Sequence, residues 1–372
     1  MRPLPDFPWD TLTPYREQAS AHPGGLVNLS IGTPVDPTPA FVQQALASAA
    51  DAPGYPATYG TPELRSAVVE WLARRFGISG LDERGVLPTI GSKEFVSSLP
   101  TLLGLGEHDT VLHPALAYPT YDIGARLAGA PAIAADSMTA VGPARVGLVW
   151  VNSPANPHGR VLPAEHLAKV VAWARERGAI VASDECYLEF GWDTQPVSVL
   201  DAAVNGGTLD GVLAVHSLSK RSNLAGYRAG FVVGDVELVL RLLEIRKHAG
   251  MMMPAPIQSA MAAALSDDVH VDEQQARYAA RRATLRAAFE AAGFRIDHSE
   301  AGLYLWVTRD EPCWDTVGWL AERGILVAPG EFYGRAGARH VRAALTVSDE
   351  RVHAAADRLA ERTGYPTSAV AT

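Results

Sequence analysis

Residues 216–230 read HSLSKRSNLAGYRAG and follow directly after an apolar run. Within this stretch, Lys220 is one of only four lysines in a chain that holds 32 lysines and arginines together. Arginine stays protonated in a protein, whereas surroundings can bring a lysine amine close to neutrality, so covalent amine chemistry requires lysine here. Ser217 and Arg228 flank it, and a hydroxyl with a guanidinium fork is suited to binding a phosphate. A Schiff-base lysine beside a phosphate-binding pair indicates pyridoxal phosphate as cofactor.

Working outward from this stretch, short runs rich in valine, isoleucine and leucine alternate with segments of helical period. Such alternation predicts an α/β fold with a mainly parallel sheet. The segment 164–177 is predicted to be a crossover helix, because its apolar residues fall on one face and Gly178 follows it. The predicted strands are residues 86–90, 110–113, 147–152, 179–183, 212–216 and 231–233.

The length of 372 residues exceeds what one hydrophobic core usually supports, so two domains with a cleft between them are expected. The pattern changes after Phe231, where helices are predicted at 236–248 and around 273–292, followed by shorter strands and a final helix. The predicted division is an N-terminal arm that joins the small domain (1–35), a large cofactor-binding domain (36–245) and a small C-terminal domain (246–372).

Composition excludes several classes of function. A net charge of −9 without a basic run argues against a nucleic-acid or membrane-surface partner. The two cysteines, Cys186 and Cys313, predict neither a disulfide framework nor a zinc or other metal site, and Cys186 is expected to be a small core residue. No signal-peptide region opens the sequence, and no stretch approaches the roughly 18 apolar residues of a membrane span. These features predict a cytoplasmic protein that acts on small molecules.

Polar residues follow five of the predicted strands directly. Ligands of open α/β sheets bind at the carboxyl ends of strands, so one pocket is expected to gather these residues. Taken singly, each has an ordinary explanation as a turn, a buried carboxylate, a half-buried aromatic or a solvated side chain; only their joint order along the sheet favours a site. They are Gly91, Ser92 and Lys93, which open a helix suited to an anion, then Tyr118 and Tyr121, Asn152 and Asn156, Asp184 and Tyr187, and the Lys220 stretch.

Across nearly the whole chain, the motifs resemble the fold-type I, class I aminotransferases that use pyridoxal 5′-phosphate. The resemblance implies a large domain with a mainly parallel sheet, a smaller α+β domain, and a homodimer with active sites between the subunits. It also implies amino-acid and 2-oxo-acid substrates, over which the two domains close. The motifs are YPATYG, ELR, GSKE, AYPTY, NSPANPHG, SDECY, SLSKRSNLAGYRAG, APGEFYG and HVR.

The resemblance also assigns roles to individual residues. Lys220 is implied to form the Schiff base, Asp184 to pair with the pyridinium nitrogen, and Tyr187 to contact the cofactor near its ring oxygen. Arg342 is implied to bind the substrate α-carboxylate, with Arg339 as a nearby alternative. The remaining contacts are Asn156 near the ring oxygen, Tyr118 stacked on the ring, a Gly32 backbone contact to the substrate, and a phosphate site made by Gly91, Ser92, Lys93, Ser217, Arg228 and Tyr55 of the partner subunit.

At a finer level, FPWDTL, LSIGTPVDP, APGYPAT, RKHAGMMMPA, AGLYLW and DEPC resemble actinobacterial succinyldiaminopimelate transaminases of lysine biosynthesis. This resemblance implies amino transfer between glutamate and N-succinyl-2-amino-6-oxopimelate. The arginine that aspartate enzymes use for the side-chain carboxylate has no clear counterpart, which disfavours aspartate as substrate. Two alternatives stay open: another class I aminotransferase, for an acylated ornithine or an aromatic amino acid, and a carbon–sulfur β-lyase on the same scaffold.

Overall fold

The computed structural model describes residues 4–361. Its strands are β1 (Val27–Asn28), β2 (Val86–Ile90), β3 (Thr110–His113), β4 (Ala132–Ala134), β5 (Val146–Asn152), β6 (Ile180–Asp184), β7 (Val212–Ser217), β8 (Ala229–Gly234), β9 (Arg295–Ile296), β10 (Tyr304–Thr308), β11 (Ile325–Leu326), β12 (Ala328–Pro329) and β13 (Val341–Ala344). Its α-helices are α1 (Thr13–Ser20), α2 (Ala40–Ser48), α3 (Pro62–Phe76), α4 (Ser92–Leu102), α5 (Thr120–Ala128), α6 (Ala164–Glu176), α7 (Ala202–Asn205), α8 (Leu218–Arg221), α9 (Val236–Ala249), α10 (Ala255–Leu265), α11 (Val269–Ala291), α12 (Cys313–Ala321) and α13 (Asp349–Ala360). Short 3-10 turns lie at Pro8–Leu12, Glu83–Gly85, Met138–Val141, Ala225–Tyr227, Gly330–Tyr333 and Arg335–Gly337.

Seven of these strands form the central sheet, in the order β2-β8-β7-β6-β5-β3-β4. The neighbours from β7 to β4 run parallel, whereas β8 is antiparallel to both β2 and β7. Their near-continuous apolar sequences are explained by burial on both faces, the usual situation of a mainly parallel sheet. The predicted α/β class is confirmed, and each predicted strand lies within two residues of an observed one at either end. Strand β4 has only three residues and was not predicted.

Helix α6 shows how local sequence sets the crossovers. It buries Leu167, Val170, Val171 and Ala174, which are the predicted apolar face. Gly178 takes a φ of +65°, a conformation that favours glycine just beyond a helix. Helix α11 begins at Val269, about one turn before the predicted start. Among the described helices, none combines the length and apolar character needed to cross a membrane.

A second hydrophobic core packs on the antiparallel sheet β12-β13-β10-β9. Strand β1 pairs in parallel with β11, so residues near the N-terminus share this second core. Helix α10, by contrast, packs on α2 and α3 and contributes Ala260, Met261 and Ala264 to the core of the large sheet. The division at residues 35 and 245 stays a prediction, and this packing favours a later start for the small domain, after α10.

Candidate active site

A cleft of about 1000 Å³ opens at the carboxyl ends of the central strands. Side chains from both cores and from the segment 4–9 line it. The parallel strands end at the same edge of the sheet, which brings together residues that are far apart in the sequence. The sequence-predicted residues that line this cleft are Gly32, Ser92, Lys93, Tyr118, Asn152, Asn156, Asp184, Tyr187, Lys220, Arg228 and Arg342.

Four other predicted residues do not line the cleft wall directly, and one of them, Tyr121, contacts the lining residue Asp184 instead. Gly91 is the residue before α4 and has a φ of +77°. Ser217 ends β7, and its Oγ donates to Ser219 Oγ at 2.8 Å; Ser219 itself lines the cleft. Tyr55 is 96% exposed and lies outside the cleft of its own chain. Its contribution to a partner's site therefore stays a prediction.

The Arg228 guanidinium lies against Gly91 at the start of α4. A Cβ on Gly91 would lie 2.3 Å from Arg228 Nη2, so a side chain at this position would displace the guanidinium. Arg228 Nη1 donates to the Ala225 carbonyl at 3.0 Å, and no carboxylate of the described residues forms an ion pair with it. A guanidinium, a helix N-terminus and nearby serine hydroxyls are together suited to binding a phosphate dianion.

Asp184 is a buried carboxylate at the end of β6, with 7% of its surface exposed. Its Oδ2 accepts a hydrogen bond from Tyr121 Oη at 2.9 Å, and its Oδ1 accepts one from the Cys186 backbone N–H at 3.3 Å. Within residues 4–361, no lysine, arginine or histidine forms an ion pair with this carboxylate. A buried anion without a cation is costly, so the position fits a ligand that brings a cation, such as a protonated pyridine ring.

Arg342 is the opposite case, a guanidinium with only 3% of its surface exposed. Its Nη1 donates to Asn156 Oδ1 and its Nη2 to the Ser30 carbonyl, both at 2.8 Å, while Nε lacks a partner among the described residues. The ring of Tyr304 lies 3.9 Å from its guanidinium carbon. These contacts hold the charge in place without neutralising it, which suits a substrate carboxylate.

Two phenols in the cleft, those of Tyr187 and Tyr118, are held in their protonated form. Burial, with the neighbouring Tyr304 adding to it, raises the pKa of Tyr187 well above its usual value, and the two hydroxyls are 3.0 Å apart. Burial also raises the pKa of Tyr118. The amine of Lys220 is partly exposed to the cleft and makes no hydrogen bond or ion pair with any described residue. Lys220 is therefore the side chain that combines nucleophilic chemistry with access.

Several contacts of the site were not assigned from the sequence. A Cβ on Gly32 would lie 2.3 Å from Tyr304 Oη, so this glycine is required for the close approach of the tyrosine. Tyr121 holds Asp184, although the AYPTY motif suggested only a pair of aromatics. Cys186, expected in the core, is half-buried and lines the cleft, with its Sγ 3.4 Å from Ser92 Oγ, because it follows the end of β6. No local pattern marks such contacts.

Comparison with known proteins agrees with this geometry. The family model "Aminotransferase class I and II" matches residues 25–359. The chain is 62% identical to a probable aminotransferase of Mycobacterium tuberculosis, over 96% of this chain and 85% of the relative, and 60% identical to the 4-dedimethylamino-4-oxo-anhydrotetracycline transaminase OxyQ of Streptomyces rimosus, over 96% and 100%. A solved structure, a probable N-succinyldiaminopimelate aminotransferase from Thermus thermophilus, superposes with a TM-score of 0.85 at 28% identity, covering 95% of this chain and 99% of that one. The chain is therefore an aminotransferase of class I and II, a family that depends on pyridoxal 5′-phosphate.

Proposed function

We propose that the protein transfers the amino group between glutamate and N-succinyl-2-amino-6-oxopimelate, forming 2-oxoglutarate and N-succinyl-LL-2,6-diaminopimelate. One observation carries the transfer chemistry: a single cleft holds the Lys220 amine, the Asp184 carboxylate and the Arg342 guanidinium, and neither charged group has an ion partner among residues 4–361. The choice of substrate is supported by the sequence motifs and by the likeness to the Thermus thermophilus structure. With this substrate, the proposed reaction is a step of lysine biosynthesis.

Different residues of the cleft would bind different groups of the cofactor. Arg228, Ser219 and the start of α4 would hold its phosphate, together with Ser217 and the backbone of Gly91, Ser92 and Lys93. Asp184 would keep the ring nitrogen protonated, Tyr187 and Asn156 would donate to the ring oxygen, and Tyr118 would pack on the ring. We further propose a homodimer in which Tyr55 of the partner subunit completes the phosphate site.

Pyridoxal phosphate, when bound, supplies an electron sink that makes the proton on the substrate Cα acidic. The Lys220 amine binds the cofactor and, when free, removes and returns that proton as general base and acid. Arg342 orients the substrate through its α-carboxylate. The segment 4–9, which includes Phe7 and Trp9, lines the cleft and would limit the access of water to it. Because the donor amino acid and the acceptor oxo acid both carry an α-carboxylate, one arginine serves both half-reactions.

Gly91→Ala is expected to weaken cofactor binding by at least about tenfold. The new Cβ would lie 2.3 Å from Arg228 Nη2 and would also strain a backbone φ of +77°, so the guanidinium must move away from the phosphate. Titration of the cofactor-free enzyme with pyridoxal phosphate measures the change. Gly106→Ala is the control, since nothing lies within 4 Å of its Cβ position. Equal affinity in the two variants would contradict the phosphate assignment.

Arg342→Ala is expected to weaken substrate binding by about 2–5 kcal/mol, through loss of the bidentate carboxylate contact. The change appears chiefly as a higher KM for glutamate and for the oxo acid, with the absorbance of the bound cofactor retained. Arg339→Ala is the matched control, because Arg339 is exposed and lies three residues away. A larger KM effect in the Arg339 variant would reverse the assignment.

A second candidate is amination of a polycyclic ketone, the reaction class named for OxyQ. The observation that favours it is the apolar lining of the cleft near the segment 4–9, contributed by Phe7, Trp9, Ile31, Ile123, Leu127 and Phe332. Purified enzyme should be assayed with glutamate and four acceptors: the N-succinyl oxo acid, a tetracycline-type ketone, an N-acylated glutamate 5-semialdehyde (the oxo counterpart of an acylated ornithine) and an aromatic oxo acid. The acceptor with the highest kcat/KM identifies the substrate class. Pyruvate formed from cystathionine without an acceptor would instead indicate a β-lyase.

A further inference from the structure

Three buried polar residues lie next to cofactor-site residues in the sequence but outside the cleft. Glu185 follows Asp184, His216 precedes Ser217, and Arg221 follows Lys220. The three meet behind the strand ends around a separate cavity of about 10 Å³, bounded also by Trp71, Phe231 and Glu189. They are 2%, 3% and 4% exposed. The cavity has room for one water molecule.

Each of the three residues presents a buried polar atom that has no partner in the described structure. Glu185 Oε1 accepts from the Val199 backbone N–H at 2.8 Å, but its Oε2 has no hydrogen bond. His216 Nε2 lies 3.6 Å from that oxygen, too far for a direct hydrogen bond, and is likewise unpaired. Arg221 Nε bonds Glu189, while its Nη2 is unpaired. Leaving such groups desolvated and unbonded would cost free energy at each atom.

We propose that one ordered water fills this cavity and joins Glu185, His216 and Arg221 into a buried polar cluster that positions the strand ends carrying Asp184 and Ser217. Water can donate to the carboxylate and accept from the guanidinium, and about three partners is usual for a buried water. The cluster residues touch neither substrate nor cofactor, so they are positioning residues. Each is covalently adjacent to a cofactor-site residue, so displacement of the cluster is transmitted directly to the cleft.

The charge of the cluster also depends on pH, and the direction of this dependence follows from the groups around it. Three charged groups face the Glu185 carboxyl: Asp184, which precedes it at the end of β6, Arg221 on α8, and Glu189. Glu189 pairs with Arg221 and with Arg75 of α3. Burial above all raises the pKa of Glu185 to about 7, with the Asp184 charge adding to it, and burial lowers the pKa of His216 to about 3. His216 therefore stays neutral, while Glu185 gains a buried charge as the pH rises through about 7.

A structure of the cofactor-loaded enzyme at a resolution that shows ordered waters tests the first part. The expected result is one water within hydrogen-bond distance of both Glu185 Oε2 and His216 Nε2. An empty cavity, or a direct hydrogen bond between Glu185 and His216, would overturn the proposal. This test uses the wild-type protein and needs no substrate, so it is independent of the proposed reaction.

Glu185→Gln tests the positioning role, because glutamine keeps the shape and removes the titration. A raised folded-state pKa means that wild-type stability is highest below the unfolded pKa of Glu185 and is lost as the pH rises through about 7. The melting temperature of the variant minus that of the wild type should therefore increase from about pH 5 to pH 8, by a few degrees. The visible absorbance of the bound cofactor should titrate with a lower midpoint, because a carboxylate next to Asp184 no longer favours protonation in the cleft.

Asp36→Asn is the matched control with the opposite sign. Burial alone would raise the pKa of Asp36, but its hydrogen bonds with Arg281, at 2.6 and 2.8 Å, lower it. This variant should be less stable than the wild type at neutral pH, with a gap that closes as the pH falls, and its cofactor absorbance should not change. A pH-independent melting difference in Glu185→Gln, or the same absorbance change in both variants, contradicts a positioning role.

Discussion

Lys220→Ala is expected to remove the yellow absorbance of the bound cofactor and to lower transamination by about 10³-fold or more. The amine is an accessible nucleophile of the cleft, and we expect that Tyr187, Cys186 and Asp184, which share the cleft, do not replace it as base. Burial keeps the phenol of Tyr187 protonated by raising its pKa, and burial likewise raises the pKa of the Cys186 thiol. Asp184 is held by Tyr121 and by backbone. The proton on the substrate Cα then has no acceptor.

Two lysine variants separate this role from the effect of charge. Lys220→Arg keeps a positive charge but cannot lose its proton, so it should be as inactive as the alanine variant. Lys169→Ala, at an exposed position on α6, should match the wild type. Borohydride reduction followed by peptide mapping should label the peptide around Lys220 in the wild type and in Lys169→Ala, but in neither Lys220 variant. Label on another lysine, or colour and turnover in Lys220→Ala, would contradict the assignment.

The fold was predictable wherever local pattern and burial agree. Strands β2 and β3 match their predicted bounds, because apolar runs bounded by turn residues occur where the sheet is covered on both sides. Helix α10 shows the limit of this reasoning. Its apolar residues predict burial, but only tertiary contacts decide that they pack on α2 and α3 rather than on the second core.

The residue types of the site were predictable from motifs, but the contacts that hold them were not. Arg342 was assigned to a carboxylate, yet its anchors, Asn156 and the Ser30 carbonyl, lie 186 and 312 residues away. The contact of Gly32 with Tyr304 is equally distant in sequence and leaves no local signal. Motifs indicate the residue type at a position. The hydrogen bonds that support that residue depend instead on how the two hydrophobic cores pack against each other.

Asp184→Ala should lower the rate of amino transfer by about 10²–10⁴-fold, because it leaves the ring cation without its buried anion. Breaking a buried ion pair by removing one partner costs about 3–5 kcal/mol, and each 1.36 kcal/mol is about tenfold in rate. Asp184→Asn separates charge from shape. In the wild type, Tyr121 Oη lies 2.9 Å from Asp184 Oδ2. The amide oxygen of the variant can still accept this hydrogen bond, but it cannot neutralise the charge of the ring nitrogen. Its rate should therefore be close to that of the alanine variant.

Tyr121→Phe completes this set, since it removes the hydrogen bond to Asp184 and keeps the carboxylate. Loss of one such bond to a charged group costs about 1.5–3 kcal/mol, so this variant should lose less activity than either Asp184 variant. Single-turnover conversion of glutamate by cofactor-loaded enzyme measures all three rates without interference from product release. If Asp184→Asn turned over at the wild-type rate, the carboxylate would serve only to support Tyr121 and the backbone of Cys186. A rate in Tyr121→Phe as low as in Asp184→Asn would mean that the orientation of the carboxylate, and not its charge alone, limits proton removal at the substrate Cα.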